Sequence, residues 1–136
     1  MGRARFLPDF SVLDHLLPSV AEAIGSDPLR RVVAALPDQE AATDLLNDEL
    51  AALRLRLSRG QGDSWLLRAD HGLDATVAYR NGVLGLARLV ELDGWSRLKR
   101  CQEAGCDRGF IDLTNGALRK YCDPHRVAVR RELRTR

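Results

Sequence analysis

The chain has 136 residues, enough for one compact domain or a body of roughly 95 residues with a small appendage. Apolar residues make up 45% of it, which supports a true core, and no apolar run approaches the ~20 residues of a membrane span. The net charge of +2 hides an asymmetry: residues 97–136 hold 11 Lys/Arg against 5 Asp/Glu, and residues 1–96 hold 10 against 14. An acidic body with a basic end directs any anionic partner to the C-terminal third. The stretch after Arg3 and Arg5 is too short and too broken to be a secretory core. With three cysteines, an odd number, reduced thiols in a cytoplasmic protein are the expectation.

Residues 1–95 read as helices separated by turns. Ser11 can cap a segment from Val12 with Asp14 in its first turn, Pro18 interrupts it, and Gly25 closes the second piece near Ile24. Asp27-Pro28 predicts a helix start, an N-cap carboxylate followed by proline at the first helical position, and Pro37 ends the helix Leu29–Leu36. The next helix is expected from Gln39 to Ser58. Leu46, Leu50, Leu53 and Leu57 form its stripe, and Gly60 stops it. The period then changes: Ser64–Ala69 and Asp74–Tyr79 predict a small β-hairpin about the turn Asp70-His71-Gly72. Asn81-Gly82 opens a further helix with Val83, Leu84, Ala87 and Val90 on one face, ended by Asp93-Gly94.

The C-terminal third carries the chemistry. Cys101, Cys106, Cys122 and His125 read C-x4-C-x15-C-x2-H, two ligand pairs at short spacing with room between them for one hairpin. That pattern builds a tetrahedral Zn²⁺ site. Trp95–Arg100 alternates as a strand and delivers Cys101, and Gln102–Gly105 turns the chain back to Cys106. Gly109–Leu113 and Leu118–Tyr121 are expected to be the two strands about Thr114-Asn115-Gly116. Cys122 then begins a helix with Asp123 and Pro124 in its first turn, and His125 follows at i+3 on the same side. Knuckle, hairpin and helix in this order are the layout of a treble-clef zinc finger. The fourth ligand is expected to be His125, with His71, Asp107 or water as alternatives.

Beyond the ligands, Arg126, Arg130 and Arg134 fall at i, i+4 and i+8 along one helix face, and Val129 and Leu133 form an apolar pair able to pack on the finger or body. Arg131 adds charge beside them, and Arg119-Lys120 precede Cys122. Guanidinium groups suit phosphate because their planar fork makes paired hydrogen bonds. The helix has no interleaved aromatics for stacking on unpaired bases, so duplex DNA is the expected partner. Asp112 is expected to hydrogen-bond the turn backbone or Arg119. No glycine-rich phosphate loop, Ser/His/Asp set or H-E-x-x-H pattern is present, and a non-enzymatic binding module is expected.

The run Cys101…Cys106…Phe110-x-Asp112-x-Thr114…Arg119-Lys120-Tyr121-Cys122 resembles the CGNR zinc finger of bacterial proteins, where it follows a helical domain called ABATE. The tetrapeptide that names that family is absent: Asp-Pro-His-Arg follows Cys122, with no fourth cysteine. The resemblance implies an α+β, mainly α chain, with an ABATE-like helical domain over 1–95 and the finger over 96–136. It also implies a transcriptional regulator that binds DNA through a zinc module. The body would then serve for homodimerisation or for sensing a ligand. The rival expectation is a finger that docks another protein, such as a component of the transcription machinery, without touching DNA.

Overall fold

The computed structural model describes residues 9–69, 77–114 and 116–135. Asp9, not Ser11, caps the first turn: its carboxylate accepts from the Ser11 N–H at 2.9 Å, and a short 3-10 turn covers Phe10–Leu13. Helix α1 (Leu17–Ala23) follows with Pro18 in its first turn, where the missing N–H has no intrahelical partner to lose. Proline therefore opens this helix instead of interrupting one. Helix α2 (Leu29–Ala35) has Pro28 at its N-cap and no side-chain cap from Asp27. Backbone bonds close that turn, Arg30 N–H donating to Ser26 O and Arg31 N–H to Pro28 O.

Helix α3 (Gln39–Leu53) is capped by the Asp38 carboxylate, which accepts from the Ala41 N–H at 3.1 Å. It stops five residues before the expected Ser58, because Arg54 adopts a left-handed conformation with φ 43°. The chain then forms β1 (Leu55–Arg59), which pairs antiparallel with β2 (Trp65–Ala69). The run Leu55-Arg56-Leu57-Ser58 alternates as well as it continues a helical stripe, and pairing with β2 decides for the strand. Leu57 leaves the stripe and is 68% exposed, whereas Leu46 and Leu53 are buried and Leu50 packs at the core's edge.

The expected strand Ser64–Ala69 is thus real, but its partner lies upstream. The Asp70-His71-Gly72 turn and Asp74–Thr76 fall outside the described residues, and Val77, Ala78 and Tyr79 belong to helix α4 (Val77–Asp93). The buried face of α4 is Gly82, Val83, Gly85, Leu86 and Leu89, with Leu84, Ala87 and Val90 at its margins. Its two buried glycines let α1 approach. A Cβ on Gly82 would lie 2.5 Å from Ala23 Cβ, and one on Gly85 2.4 Å from Val20 Cγ2. Val20 is a stiff, fully buried side chain and cannot swing away. Gly85→Ala is therefore expected to destabilise the fold by about 1–3 kcal/mol, despite the better helix propensity of alanine. A lowered urea midpoint at unchanged slope is the readout, and an unchanged midpoint would refute the close approach.

The body's core is built from Val20 and Ile24, Leu29, Val32 and Val33 of α2, Ala42, Leu46 and Leu53 of α3, and Val83 and Leu86 of α4. Residues 94–97 form a 3-10 turn, so the expected strand Trp95–Arg100 shortens to β3 (Leu98–Arg100). It pairs antiparallel with β4 (Gly109–Ile111), Leu98 opposite Ile111. Trp95, Leu98 and Ile111 join the body's core, and Gly109 sits where a Cβ would come within 3.1 Å of Val33. The segment 118–121, expected to be a returning strand, forms no ladder: the partner of β4 is β3, and the knuckle 101–108 is the hairpin's own turn. Helix α5 (Asp123–Thr135) ends the described chain. The protein is mainly helical; its described residues form two small antiparallel hairpins, the second with the knuckle as its turn, and a C-terminal helix.

Candidate metal centre and basic groove

The knuckle and the first turn of α5 converge on one point. Cys101 follows β3 directly and continues its ladder, its N–H donating to Arg108 O at 2.9 Å. Gly105, at φ 80°, reverses the chain, and the Cys106 N–H donates to Glu103 O at 3.0 Å. Across the site, Cys122 O accepts the first α5 bond from the Arg126 N–H at 2.8 Å, which places Cys122 at the helix start and His125 one turn on. A further bond, Gln102 N–H to Lys120 O at 2.9 Å, ties the knuckle to the approach to α5.

These elements bring Cys101, Cys106, Cys122 and His125 together, with their ligand atoms all within 4.8 Å of one another. Cys106 Sγ lies 3.9 Å from Cys122 Sγ, and His125 Nδ1 lies 3.4 Å from Cys101 Sγ and 3.3 Å from Cys122 Sγ. Bond lengths of ~2.3 Å to sulfur and ~2.0–2.1 Å to nitrogen give a tetrahedral zinc ligand edges of roughly 3.8 Å for S···S and 3.5 Å for S···N. The four donors therefore fit a tetrahedral metal ion, with Nδ1 as the imidazole atom that faces it. Asp107 and Asp123 are not part of the cluster. His71 falls outside the described residues.

Electrostatics support a cation at the centre. The Cys101 thiol is pulled down to about 6: burial opposes this, but the N–H groups of Cys122 and Glu103, the His125 ring and the Cys122 thiol together favour its thiolate. The Cys122 thiol is pushed up, by burial first and by the neighbouring sulfurs of Cys101 and Cys106, against help from the His125 N–H. A divalent ion among the sulfurs would favour their thiolates together. Phe110 and Tyr121 pack around the cysteines and screen the cluster.

A second network braces the chain beside the metal cluster. Asp112, fully buried, accepts from Lys99 Nζ at 2.8 Å, from the Thr114 N–H at 3.0 Å, from Thr114 Oγ1, and from the Arg119 N–H at 2.9 Å. Burial pushes its carboxyl up, but these donors more than reverse it and hold it well below the usual carboxylate range. The turn backbone and Arg119 are the partners expected for Asp112, and the Arg119 contact runs through the main chain. Lys99 carries no pattern in the sequence that would single it out, because its importance depends on a residue 13 positions away. Arg97 is similarly hidden: it is buried, with Nε donating to Asp93 Oδ2 at 2.6 Å and its NH1 group to Thr114 O at 2.5 Å.

The basic residues divide. The Arg119 guanidinium turns inward, donating to Tyr121 O and Asp123 Oδ1, with its carbon 4.8 Å from the Phe110 ring centroid. Lys120, Arg126 and Arg130, with Arg119 at the floor, line one groove of about 380 Å³ between the 118–121 segment and α5. Leu118, Tyr121 and Val129 supply its apolar wall. Arg131 is exposed on α5 outside this groove, and the side chain of Arg134 lies outside the described set. The expected apolar pair does not form a packed face: Val129 is half-buried in the groove wall, but Leu133 is 65% exposed. Among the described residues, no helix is long and apolar enough to cross a membrane.

No curated protein matches this chain. The finger itself does match a known family: residues 97–136, which contain the four clustered Cys and His residues and the basic groove, fit the family model of the CGNR zinc finger.

Proposed function

We propose that the protein is a DNA-binding transcriptional regulator in which Cys101, Cys106, Cys122 and His125 hold one structural Zn²⁺ and the finger presents its basic groove to duplex DNA. The observation that carries this reading is the placement of Lys120, Arg126 and Arg130 around one groove beside the metal cluster. The Zn²⁺ would close the knuckle onto the start of α5 and so fix the direction in which that helix projects its arginines. With four protein donors, such an ion has no open position for a reacting water, which suits a binding module rather than an enzyme. Arg119 is engaged within the finger and would brace the groove more than contact phosphate. The 1–95 body, read as ABATE-like, would serve dimerisation or ligand sensing, in the cytoplasm and at the nucleoid.

Binding to random duplex DNA across a salt series tests the reading. Log affinity should fall steeply with log salt, and Arg126→Ala and Arg130→Ala should each make the slope shallower by about one. Absence of binding at low salt would refute it. The exposed apolar side chains Val127 and Leu133 on α5 favour the second reading, a finger that docks a protein of the transcription machinery without DNA contact.

A further inference from the structure

The finger carries a ridge between two clefts. Leu118, Arg119 and Lys120 line both the groove beside α5 and a larger cleft of about 800 Å³ between finger and body, whose lining includes Arg100. Leu118 is 80% exposed, more than any other large apolar side chain among the described residues. A leucine on a loose loop would need no explanation, but this loop is clamped. Lys99 Nζ donates to Ala117 O and to Arg119 O, the carbonyls on either side of Leu118, and Asp112 takes the Arg119 N–H. Ala117 is held at φ 50°, a conformation that residues with a Cβ rarely adopt, and Gly116 at φ 84° precedes it.

The chain therefore fixes an apolar tip in water beside cations: Arg126 and Arg130 toward α5, Lys120 on the ridge and lining both clefts, and Arg100 toward the body, where its guanidinium donates to Leu36 O at 3.0 Å and the cleft lining also holds Glu103 and Asp107. Such a tip needs an apolar seat between two rows of negative charge. The minor groove of duplex DNA has that form, with phosphates on both rims and stacked bases between them, and leucine is among the side chains that wedge into base steps there. We propose that Leu118 is an apolar wedge that enters a base step from the minor groove and kinks the duplex, while the flanking basic side chains hold the phosphates of both strands. This rests on the duplex-DNA reading above. It implies a preference for flexible pyrimidine–purine steps, which unstack most readily.

The experiment uses the full-length zinc-loaded protein and a duplex of roughly 30 base pairs with a central TA step and a fluorophore pair on its ends. Wild type should raise energy transfer between the ends on binding. Leu118→Ala should leave zinc content and the salt slope unchanged, abolish the rise, and weaken binding roughly ten- to hundred-fold, the scale of burying one leucine side chain. Leu118→Phe, which keeps a wedge, should retain the rise. Wild-type binding without a rise, or an undiminished rise with Leu118→Ala, would overturn the wedge while leaving DNA binding intact. No wild-type binding at low salt would overturn both.

Discussion

Cys122→Ser, or a strong chelator, is expected to destabilise the whole chain and not only its last forty residues. Cys122 is buried at the start of α5, so its loss removes one of the two donors by which that helix would hold the metal. What remains to hold α5 is a core of Phe110, Tyr121 and the other cysteines, far too small for an independent unit. Structural zinc contributes on the order of 10 kcal/mol to finger peptides, comparable to the total stability of an ordinary domain. The coupling to the body follows from shared packing: Trp95, Leu98 and Ile111 belong to the body's core, and the Trp95 indole N–H donates to Thr43 Oγ1 on α3 at 3.1 Å. Chelation should therefore expose α5 amides to exchange at once and lower the melting temperature of the helices as well. Exchange of the α5 amides that is no faster after the metal is stripped would show that packing, not the ion, holds the finger.

The same contrast between local and shared structure explains what could be read in the sequence. The Cys/His cluster was legible because each half is local: the six residues from Cys101 to Cys106 and one helical turn place their donors without help from the rest of the chain. The cap of the first turn was less legible: Asp9 takes the place expected of Ser11, because its carboxylate reaches the Ser11 N–H. Where a segment chooses between partners, pattern alone was insufficient. Leu57 fits the stripe of α3 by spacing, and only the β2 partner turns it into a strand residue. Gly82 suggested a helix start, yet it lies within α4 because α1 approaches so closely there. The Phe110-x-Asp112-x-Thr114 run acquires its physical meaning only in three dimensions. Phe110 fills the finger's core, and Asp112 collects Lys99, Thr114 and Arg119.

Asp112→Ala is expected to be strongly destabilising, although Asp112 is outside the Cys/His cluster. Removing the carboxylate leaves the Lys99 ammonium with only carbonyls for partners and strips acceptors from the N–H groups of Thr114 and Arg119. Breaking one side of a buried ion pair costs about 3–5 kcal/mol, and the partial exposure of Lys99 places this case toward the lower end. Lys99→Met should cost less than Asp112→Ala, because Asp112 would keep its backbone donors. The pH dependence has a definite sign. A carboxyl whose folded pKa lies below its unfolded value of about 3.9 contributes fully above that value, and the contribution fades as pH falls below it. The stability gap between wild type and Asp112→Ala, measured by urea unfolding, should thus be flat from about pH 7 to 5 and begin to close only below about pH 4. A gap that closed between pH 7 and 5 would place the stabilising charge elsewhere. Lys99 and Asp112 also clamp the loop that carries Leu118 and Lys120, so on the proposed duplex-DNA reading the same variant should bind DNA more weakly with an unchanged zinc content, which separates bracing of the groove from construction of the metal centre.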